Sequence, residues 1–337
     1  MKTRPRTLLA MPHRIATRLF DDHAMARLAE LTTPADVPWS GTFEDTAVRA
    51  ALSDVEVLVT AWGTPPLDER VLAAAPRLRA VLHGGGTIRH FVTDACWERG
   101  LVIVSAAEAN AIPVAEFTLA SIIYAGKRLP TLGREYATTR GGTWFPSDAL
   151  AAASNLGRVV GLVGLSRVGR RVAALLRPFD FDVLAADPLA DAAQARRLGT
   201  RLVDLDELLG RADIVSLHAP LLPTTQHMID ARRLALMGDH TALINTARGG
   251  LVDTEALTKE LVSGRLMAFL DVTDPEPLPP DSPLYDLPNV QLTPHLAGST
   301  GTELTRMGAL VVDELARYVA GEGLAHRVTR EDMTHVA

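Results

Sequence analysis

The sequence has a single cysteine, Cys96, in 337 residues, so no disulfide bond can form within the chain. That usage is typical of proteins that fold in a reducing compartment, and we expect a cytoplasmic protein. Aromatic residues are also few, at 5%, although the hydrophobic residues together reach 47%. This balance favours an α/β protein with buried parallel strands, and the chain is long enough for two hydrophobic cores.

Positive charge and long apolar runs are scarce as well. The 34 Lys and Arg residues are outnumbered by 40 Asp and Glu residues, so charge gives no reason to expect nucleic acid or an anionic membrane as a partner. No apolar run is long enough to span a bilayer, and Thr7–Met11 is too short for the apolar core of a signal peptide. We therefore expect no membrane partner, and nothing in the sequence predicts a metal site.

One stretch has the order of a dinucleotide-binding βαβ unit. Val159–Val163 is a continuous apolar run, as in a strand buried on both faces, and it stops at Gly164. A helical apolar pattern begins at Val168, and a second apolar run, Val183–Ala186, ends at Asp187. In such a unit the N–H groups at the helix start face the pyrophosphate, and the terminal acid binds the ribose hydroxyls.

The glycine fingerprint of this unit is incomplete. Gly164 and Gly169 occupy the first and third positions of G-x-G-x-x-G, but Ser166 stands at the second. Ser166 must therefore either leave room for the pyrophosphate or hydrogen-bond a phosphate oxygen. Asp187 lies 18 residues after Gly169, near the offset expected for the ribose acid. A pair of helix-packing glycines in another kind of α/β protein is the alternative on these residues alone.

Before this unit, strands alternate with helices, as in a parallel sheet. The predicted elements are the strands Thr7–Met11, Val57–Thr60, Leu78–Leu82 and Leu101–Val104, and the helices Asp22–Leu31, Asp68–Ala75 and Asp94–Arg99. The consecutive glycines Gly84–Gly86 follow the third strand, where bare backbone N–H groups can bind an anion. A flexible loop is the alternative for that segment.

The segment between the two sheets contains one long helix. Pro113–Arg128 is predicted to be helical, and its apolar residues cover too much of the surface for a solvated connector. We expect this helix to be buried between domains or against another subunit. Tyr136–Ser154, rich in Thr, Gly, Ser and Ala, is predicted to be irregular.

The alternation continues after Asp187. The predicted strands are Ile214–Leu217, Thr241–Asn245, Met267–Leu270 and Val290–Leu292. The predicted helices include Asp230–Met237 and a helix that is capped by Asp253 and reaches Leu261. Two further helices begin at capping-box patterns, Asp204–Glu207 and Thr300–Glu303. The second of them continues through about Tyr318.

Three polar residues follow strand ends in this second sheet: Arg248, Glu276 and His295. Because ligands of open α/β sheets bind beyond the carboxyl ends of the strands, we expect these side chains along one edge. A guanidinium suits a carboxylate, and an imidazole exchanges a proton near neutral pH. Glu276, with a proline on each side, is expected to hydrogen-bond the imidazole, and Asp271 to orient a cofactor amide.

Each of these residues also has a structural explanation. His295 follows a proline and can be a packing residue, Glu276 can be a solvated loop acid, and Arg248 can close a salt bridge. His218, at another strand end, is interpreted as a lining or structural residue. The combination of a carboxylate binder, a proton carrier and a carboxylate at successive strand ends favours a catalytic site.

Five segments, in this order, carry a resemblance to a known family. They are 160–169 (VGLVGLSRVG), 216–221 (SLHAPL), 244–249 (INTARG), 270–278 (LDVTDPEPL) and 293–295 (TPH), with a further match at Val114–Glu116. On these motifs the sequence, over roughly residues 80–320, resembles the D-isomer-specific 2-hydroxyacid dehydrogenases.

The resemblance implies an α/β architecture of two Rossmann-like domains with parallel sheets. Residues 1–107 and 299–337 would form a discontinuous, flavodoxin-like substrate-binding domain around an inserted NAD-binding Rossmann domain, residues 108–298. It also implies catalytic Arg248, Glu276 and His295, and a homodimer built around Pro113–Arg128. The cofactor-binding residues implied are Gly164, Ser166, Arg167, Val168, Gly169, Asp187, Ala219, Pro220, Thr225, Thr246, Ala247 and Asp271.

The activity implied is a reversible NAD-dependent hydride transfer between a 2-oxo acid and a D-2-hydroxy acid. Arg248 and the backbone N–H groups of Gly85 and Gly86 are expected to hold the substrate carboxylate. NAD is favoured over NADP because Asp187 would repel a 2′-phosphate, and no Arg or Lys follows it before Arg196.

The sequence departs from the family pattern in its substrate loop. Gly84–Thr87 and Arg89–His90 replace a glycine that is commonly followed by an Asn or Asp element, so the identity of the acid stays open. Trp62, with Thr87 and His90, is expected to shape that pocket. A further C-terminal domain, which 3-phosphoglycerate enzymes often add, has no room in a chain ending at Ala337.

Two other functions stay open. One is an NAD(H)-sensing binding protein of the same fold, similar to a corepressor. The other is hydride transfer from a different small oxyanion, such as phosphite. Formate is disfavoured because the resembling formate enzymes usually carry Gln where this chain has Glu276.

Overall fold

A computed structural model describes residues 4–140, 150 and 152–334. In chain order the strands are β1 Arg6–Ala10, β2 Thr33–Trp39, β3 Val57–Thr60, β4 Ala80–His83, β5 Val102–Ser105, β6 Val159–Val163, β7 Asp182–Ala186, β8 Arg201–Leu202, β9 Ile214–Leu217, β10 Ala242–Asn245, β11 Met267–Leu270, β12 Val290–Leu292 and β13 Arg327–Val328. Over these described residues, no helix is both long and apolar enough to cross a membrane.

The α-helices lie between the strands in the order expected for βαβ units. They are α1 His13–Leu19, α2 Asp22–Leu31, α3 Thr46–Leu52, α4 Glu69–Ala74, α5 Asp94–Glu98, α6 Ala107–Gly126, α7 Leu129–Thr139, α8 Arg167–Leu176, α9 Ala192–Arg197, α10 Leu205–Arg211, α11 Ala231–Leu236, α12 Thr254–Val262 and α13 Leu304–Ala320. Short 3₁₀ helices cover Gly249–Leu251, Pro283–Tyr285, Gly301–Glu303 and Asp332–Thr334.

The chain divides into two compact units. Unit 1 comprises Met1–Ala111 and Ser299–Ala337, and unit 2 comprises Ile112–Gly298. The first division therefore falls inside α6, after Ala111, whereas the family resemblance put it after residue 107.

Unit 1 is built on a six-stranded sheet in the order β13-β5-β4-β3-β1-β2. Every pair is parallel except β13 with β5, which is antiparallel. The register pairs Thr60 with His83 and His83 with Ser105, so β3, β4 and β5 end side by side. Hydrophobic cores on both faces bury the strands, which explains their unbroken apolar runs.

Unit 2 is a seven-stranded, fully parallel sheet in the order β12-β11-β10-β9-β6-β7-β8. Asn245, the last residue of β10, pairs with Leu217 on one side and Leu270 on the other. Separate cores again cover the two faces. The predicted α/β class with two Rossmann-like, largely parallel sheets is confirmed, with β13 as the antiparallel exception.

The long helix α6 differs from the predicted helix in its bounds. It begins at Ala107, not at Pro113, and ends at Gly126, with Pro113 inside the helix. Its residues Ala115, Ile122 and Ala125 share a core with β6. The sheet of unit 2 therefore covers this face of the helix. Tyr124, 52% exposed, is not part of that buried face.

Several other elements match the sequence predictions and some do not. The bounds of α2, β3, β6, β9, β11 and β12 are those predicted. The elements α1, β2, α3, α9 and β8 were not predicted, and α7 occupies the first part of Tyr136–Ser154, which was predicted to be irregular. Residues 141–149 and 151 of that segment lie outside the described residues.

The two capping-box patterns behave differently. Thr300 and Glu303 form the complete reciprocal pair that was predicted. Asp204 caps α10 by accepting the Glu207 N–H at 2.7 Å, but the Glu207 carboxylate accepts instead from Arg211 at 2.5 Å. The second half of that predicted box is therefore wrong.

Candidate active site

The turn between β6 and α8 requires glycine at two positions. Gly164 has φ +98°, and a Cβ there would lie 2.9 Å from the Ala219 nitrogen. A Cβ on Gly169 would overlap the Gly164 carbonyl oxygen. The turn therefore packs directly against the start of the helix and against the loop after β9, which is the close approach that a dinucleotide-binding turn needs.

Ser166 is the N-cap of α8. Its Oγ accepts the Gly169 N–H at 3.4 Å, and its backbone is extended. The backbone N–H groups of Arg167 and Val168 occupy the first turn, where an α-helix offers no internal acceptor. The serine that replaces the central glycine thus stands at a helix N-terminus with its own hydroxyl proton still able to be donated to an anion.

Asp187 is anchored where β7 ends. One carboxylate oxygen accepts the Leu165 N–H at 2.7 Å and the other accepts the Leu189 N–H at 2.8 Å. Because a carboxylate oxygen can accept a second hydrogen bond, both oxygens retain capacity for hydroxyl donors. The acid is therefore oriented by the same turn that carries Gly164.

The loop after β9 is held by its own side chains. Thr225 donates its hydroxyl to the Pro220 carbonyl at 2.6 Å and accepts the Leu222 N–H at 2.8 Å. His218 is buried, with Nε2 at 3.0 Å from Ser216 Oγ, and burial lowers the pKa of His218 to about 3. His218 therefore stays neutral at physiological pH, which fits its interpretation as a lining or structural residue.

Asn245 shapes the loop that carries Thr246, Ala247 and Arg248. Its buried side chain accepts the Ala247 N–H at 3.1 Å and donates to the Arg248 carbonyl at 2.9 Å. Thr246 is buried, and its hydroxyl lies 2.9 Å from that of Thr118 in α6. The Arg248 guanidinium is half-buried and donates to the Ala247 carbonyl at 2.6 Å. A residue that sequence reasoning missed thus fixes the backbone beneath the arginine.

Asp271 organises the loop after β12. One oxygen of its buried carboxylate accepts from Thr293 Oγ1 at 2.7 Å and from the Leu296 N–H at 2.8 Å, and the other accepts the Ala297 N–H at 2.9 Å. The His295 N–H also donates to the Asp271 carbonyl at 2.9 Å. These contacts give Asp271 a supporting role under His295 that the sequence did not predict, and they leave the expected contact with a cofactor amide as a prediction.

His295 and Glu276 are in direct contact. Nδ1 of the imidazole lies 2.6 Å from Glu276 Oε1, and both side chains are about half exposed, at 51% and 42%. Since an ionised carboxylate can only accept, Nδ1 carries the hydrogen and Nε2 is the ring nitrogen left for a ligand. His295 has φ +52°, a left-handed conformation that is uncommon outside glycine. Its exposed ring on a tightly held loop fits a proton carrier better than a packing residue.

Neighbouring residues restrict each glycine of the Gly84–Gly86 loop in unit 1. Gly84 donates its N–H to the Thr60 carbonyl at 2.7 Å, a Cβ on Gly85 would overlap the His83 ring, and one on Gly86 would lie 3.2 Å from Asn110 Nδ2. In the part of the chain that the structure describes, the N–H groups of Gly85 and Gly86 have no acceptor. The segment is therefore a shaped loop with bare donors, as an anion site requires.

His83 forms the floor of this loop. Its ring is fully buried, Nδ1 lies 2.9 Å from Thr60 Oγ1, and Nε2 has no hydrogen-bond partner among the described residues. Burial, with a smaller contribution from His90, lowers the pKa of His83 to about 3. Sequence reasoning missed this residue, although a histidine between a buried strand and consecutive glycines was visible as a signal.

The expected site residues thus fall into three groups. His295 and Glu276 touch each other, and Arg248 follows β10, which is separated from β12 only by β11. The expected cofactor residues lie after β6, β7, β9, β10 and β11 of the same unit. Gly85 and Gly86 belong to unit 1.

Comparison with known proteins identifies the family. Residues 119–297 match the NAD-binding domain of the D-isomer specific 2-hydroxyacid dehydrogenases. A curated relative, the (S)-sulfolactate dehydrogenase of Chromohalobacter salexigens, is 35% identical over 87% of this chain and 94% of its own length. This protein belongs to the D-isomer specific 2-hydroxyacid dehydrogenase family. Its cofactor is NAD.

Other known proteins are similar over much of the chain. The D-3-phosphoglycerate dehydrogenase of Mycobacterium tuberculosis is 36% identical over 90% of this chain, which spans 56% of that relative's length. The solved structure of the TT0316 protein from Thermus thermophilus is 32% identical and has a TM-score of 0.75, covering 96% of this chain and 100% of its own.

Proposed function

We propose that this dehydrogenase interconverts a 2-oxo acid and a D-2-hydroxy acid. The observation that carries the proposal is the 2.6 Å contact between His295 Nδ1 and Glu276 Oε1, at the carboxyl edge of a sheet whose sequence matches an NAD-binding domain. An exposed imidazole held in one tautomer by a carboxylate is the arrangement of a general acid–base catalyst.

The proton chemistry belongs to His295. In the reducing direction, Nε2 would give its proton to the C2 oxygen, and in the oxidising direction it would take the proton of the C2 hydroxyl. Glu276 would keep Nδ1 protonated and stabilise the imidazolium form of His295, which donates the proton. When bound, NAD supplies or accepts the hydride.

The substrate carboxylate would be held by two sets of donors. The Arg248 guanidinium is permanently charged and presents several N–H groups in a fixed plane, which suits a carboxylate. The acceptor-free N–H groups of Gly85 and Gly86 supply the second set. Binding at the carboxylate places the neighbouring C2 carbonyl for proton transfer.

The turns of unit 2 fit the dinucleotide. Gly164 and Gly169 leave a cradle that a Cβ would fill, and Ser166 caps the helix whose N-terminus would face the pyrophosphate. Asp187 would bind the adenosine ribose hydroxyls. Unit 2 would accordingly be the nucleotide domain, as proposed for residues 108–298, and unit 1 the substrate domain. The remaining cofactor contacts proposed are those of Arg167, Val168, Ala219, Pro220, Thr225, Thr246, Ala247 and Asp271.

We also propose a cytoplasmic homodimer. Exposed apolar side chains cluster in sequence on α6 and α7: Tyr124 is 52%, Leu129 45% and Tyr136 58% exposed. Large apolar side chains exposed on consecutive helices favour a subunit interface. Light scattering on the purified protein at micromolar concentration tests this, since a monomeric mass would contradict it.

The experiment that tests the proposed activity is a screen of 2-oxo acids with NADH, followed by loss of the reduced nicotinamide absorbance. The panel should include glyoxylate, pyruvate, phenylpyruvate, 3-phosphohydroxypyruvate and sulfopyruvate. Turnover of at least one acid, giving the D-hydroxy acid, is expected. If NADH binds tightly but no acid in the panel is reduced, the binding-protein alternative is favoured and the enzymatic proposal is wrong.

A further inference from the structure

The carboxyl edge of the unit 1 sheet carries an aromatic residue with no partner among the described residues. Trp62 follows β3, is 39% exposed, and makes no ring contact or hydrogen bond with that part of the chain. Its strand neighbours β4, where the Gly84–Gly86 loop begins, and adjacent strands lie about 4.8 Å apart. Trp62 thus follows the strand next to the one that leads into the loop that we propose for the substrate carboxylate.

Trp62 is held in place by a fixed turn. The Thr64 N–H donates to the Ala61 carbonyl at 3.2 Å, and Gly63 adopts φ +84° at the third position of the turn. The buried Thr64 hydroxyl lies 2.7 Å from the Ala61 carbonyl and 3.1 Å from that of Ala10, which ties the turn to β1. Because the backbone of this turn is already ordered, the protein loses little backbone entropy when a ligand packs on the indole.

The strand ends on either side of β4 are apolar. The residues that directly follow β3 and β5, the strands beside β4, are Ala61, Trp62 and Ala106, and none is charged. The His83 ring beneath the loop is buried and neutral.

Side chains that can carry positive charge follow the neighbouring strand ends. His13 and Arg14 follow β1, the strand next to β3. The Arg89 guanidinium donates to the Met333 carbonyl, and the His90 ring lies 6.1 Å from the His83 ring, with partial burial lowering the pKa of His90. At the strand end next to the loop, however, the residue present is Trp62, whose indole offers an apolar surface and no positive charge.

From this arrangement we infer that the preferred substrate is a 2-oxo acid with a bulky apolar side chain of aromatic size, with Trp62 as the residue that selects it. The inference rests on the proposed function, because it assumes that the Gly84–Gly86 loop binds the substrate carboxylate. Trp62 would contact the C3 substituent and leave the proton transfer at C2 to His295.

The test compares kcat/KM for phenylpyruvate, glyoxylate and 3-phosphohydroxypyruvate in the wild type, Trp62→Ala and Trp62→Phe. We expect the wild type to have its highest kcat/KM with phenylpyruvate. In Trp62→Ala, kcat/KM for phenylpyruvate should fall by at least about tenfold because KM rises, equivalent to about 1.4 kcal/mol. Glyoxylate turnover should change little, and Trp62→Phe should recover much of the phenylpyruvate activity. Phe179→Ala, in unit 2 at a matched 40% exposure, is the control and should behave as wild type.

The outcomes separate this inference from the activity itself. A wild type that prefers 3-phosphohydroxypyruvate, or a Trp62→Ala variant that loses glyoxylate and phenylpyruvate activity equally, overturns the inference but leaves the dehydrogenase proposal standing. If no acid is reduced by the wild type, the proposed function fails first.

Discussion

The imidazole of His295 is tied to the carboxylate of Glu276 by a 2.6 Å contact, although 19 residues separate them in sequence. The two residues follow neighbouring parallel strands, β12 and β11, whose carboxyl ends lie side by side. Asp271 supports the same loop from below by accepting two of its N–H groups and the Thr293 hydroxyl. The geometry therefore constrains both the tautomer of the imidazole and its position.

Replacing Glu276 by Gln tests this relationship. An amide can present either an acceptor or a donor to Nδ1, and it cannot stabilise the imidazolium by charge, so kcat should fall by at least about tenfold. NADH affinity, measured by fluorescence titration, should be unchanged. Glu255→Gln, an exposed acid paired with Lys259 on α12, is a matched control. Equal kcat values for Glu276→Gln and wild type would remove the proposed role of the carboxylate.

Coenzyme preference depends on Asp187. Its carboxylate is fixed by the Leu165 and Leu189 N–H groups and would repel the 2′-phosphate of NADPH. We expect kcat/KM with NADH to exceed that with NADPH by at least about tenfold, and Asp187→Ser to narrow the difference. Comparable efficiency of the wild type with the two coenzymes would contradict this assignment.

His83 and Gly85 should show coupled effects. A methyl group on Gly85 would overlap the His83 ring, so Gly85→Ala should displace the loop and raise KM for the 2-oxo acid by about tenfold or more. Removing the ring in a His83→Ala/Gly85→Ala double variant should recover part of that loss. Gly133→Ala is the control, because a Cβ at that position of α7 meets no atom within 4 Å. Additive effects of the two substitutions would show that the ring does not support the loop.

Acid should destabilise the fold through its buried histidines. His83 and His218 have folded-state pKa values of about 3, against 6.5 when unfolded, so below pH 6.5 the unfolded chain binds protons that the folded chain does not. The contribution of each histidine to the free energy of unfolding is fully present above pH 6.5. It is lost as the pH falls towards 3, by up to about 1.4 kcal/mol per pH unit for each histidine. The free energy of unfolding by urea, measured between pH 7 and 4, should fall less steeply in His218→Gln than in the wild type. An identical slope would contradict the buried neutral state.

The sequence predicted most reliably the elements whose signal is local. β6 and α8 were recognisable because an apolar run meets glycine and a capping serine within a few residues. β2 was missed because its two prolines argue against a strand, and they are tolerated here since β2 lies at an edge of the sheet. The seven-residue helices α1 and α3 are too short to show a clear period.

The candidate site shows the same division. Arg248, Glu276 and His295 were visible as polar residues at strand ends, and their shared edge followed from the sheet order. The supporting hydrogen bonds of Asn245 and Asp271 were not predictable, because they depend on how loops from different strands pack. The packing of His83 beneath Gly85 is tertiary in the same sense.

We propose that His295 exchanges a proton with the oxygen on C2 while hydride is transferred between C2 and NAD. The most direct measurement follows the label from NADH carrying two deuterium atoms at C4 into the product of 2-oxo acid reduction, by NMR and chiral chromatography, in the wild type and in His295→Ala. We expect deuterium at C2 of the D-hydroxy acid from the wild type, and a rate lower by about 10²–10⁴-fold in the variant with NADH binding retained. Label transfer at an unchanged rate in His295→Ala, or an L-hydroxy acid as product, would contradict it.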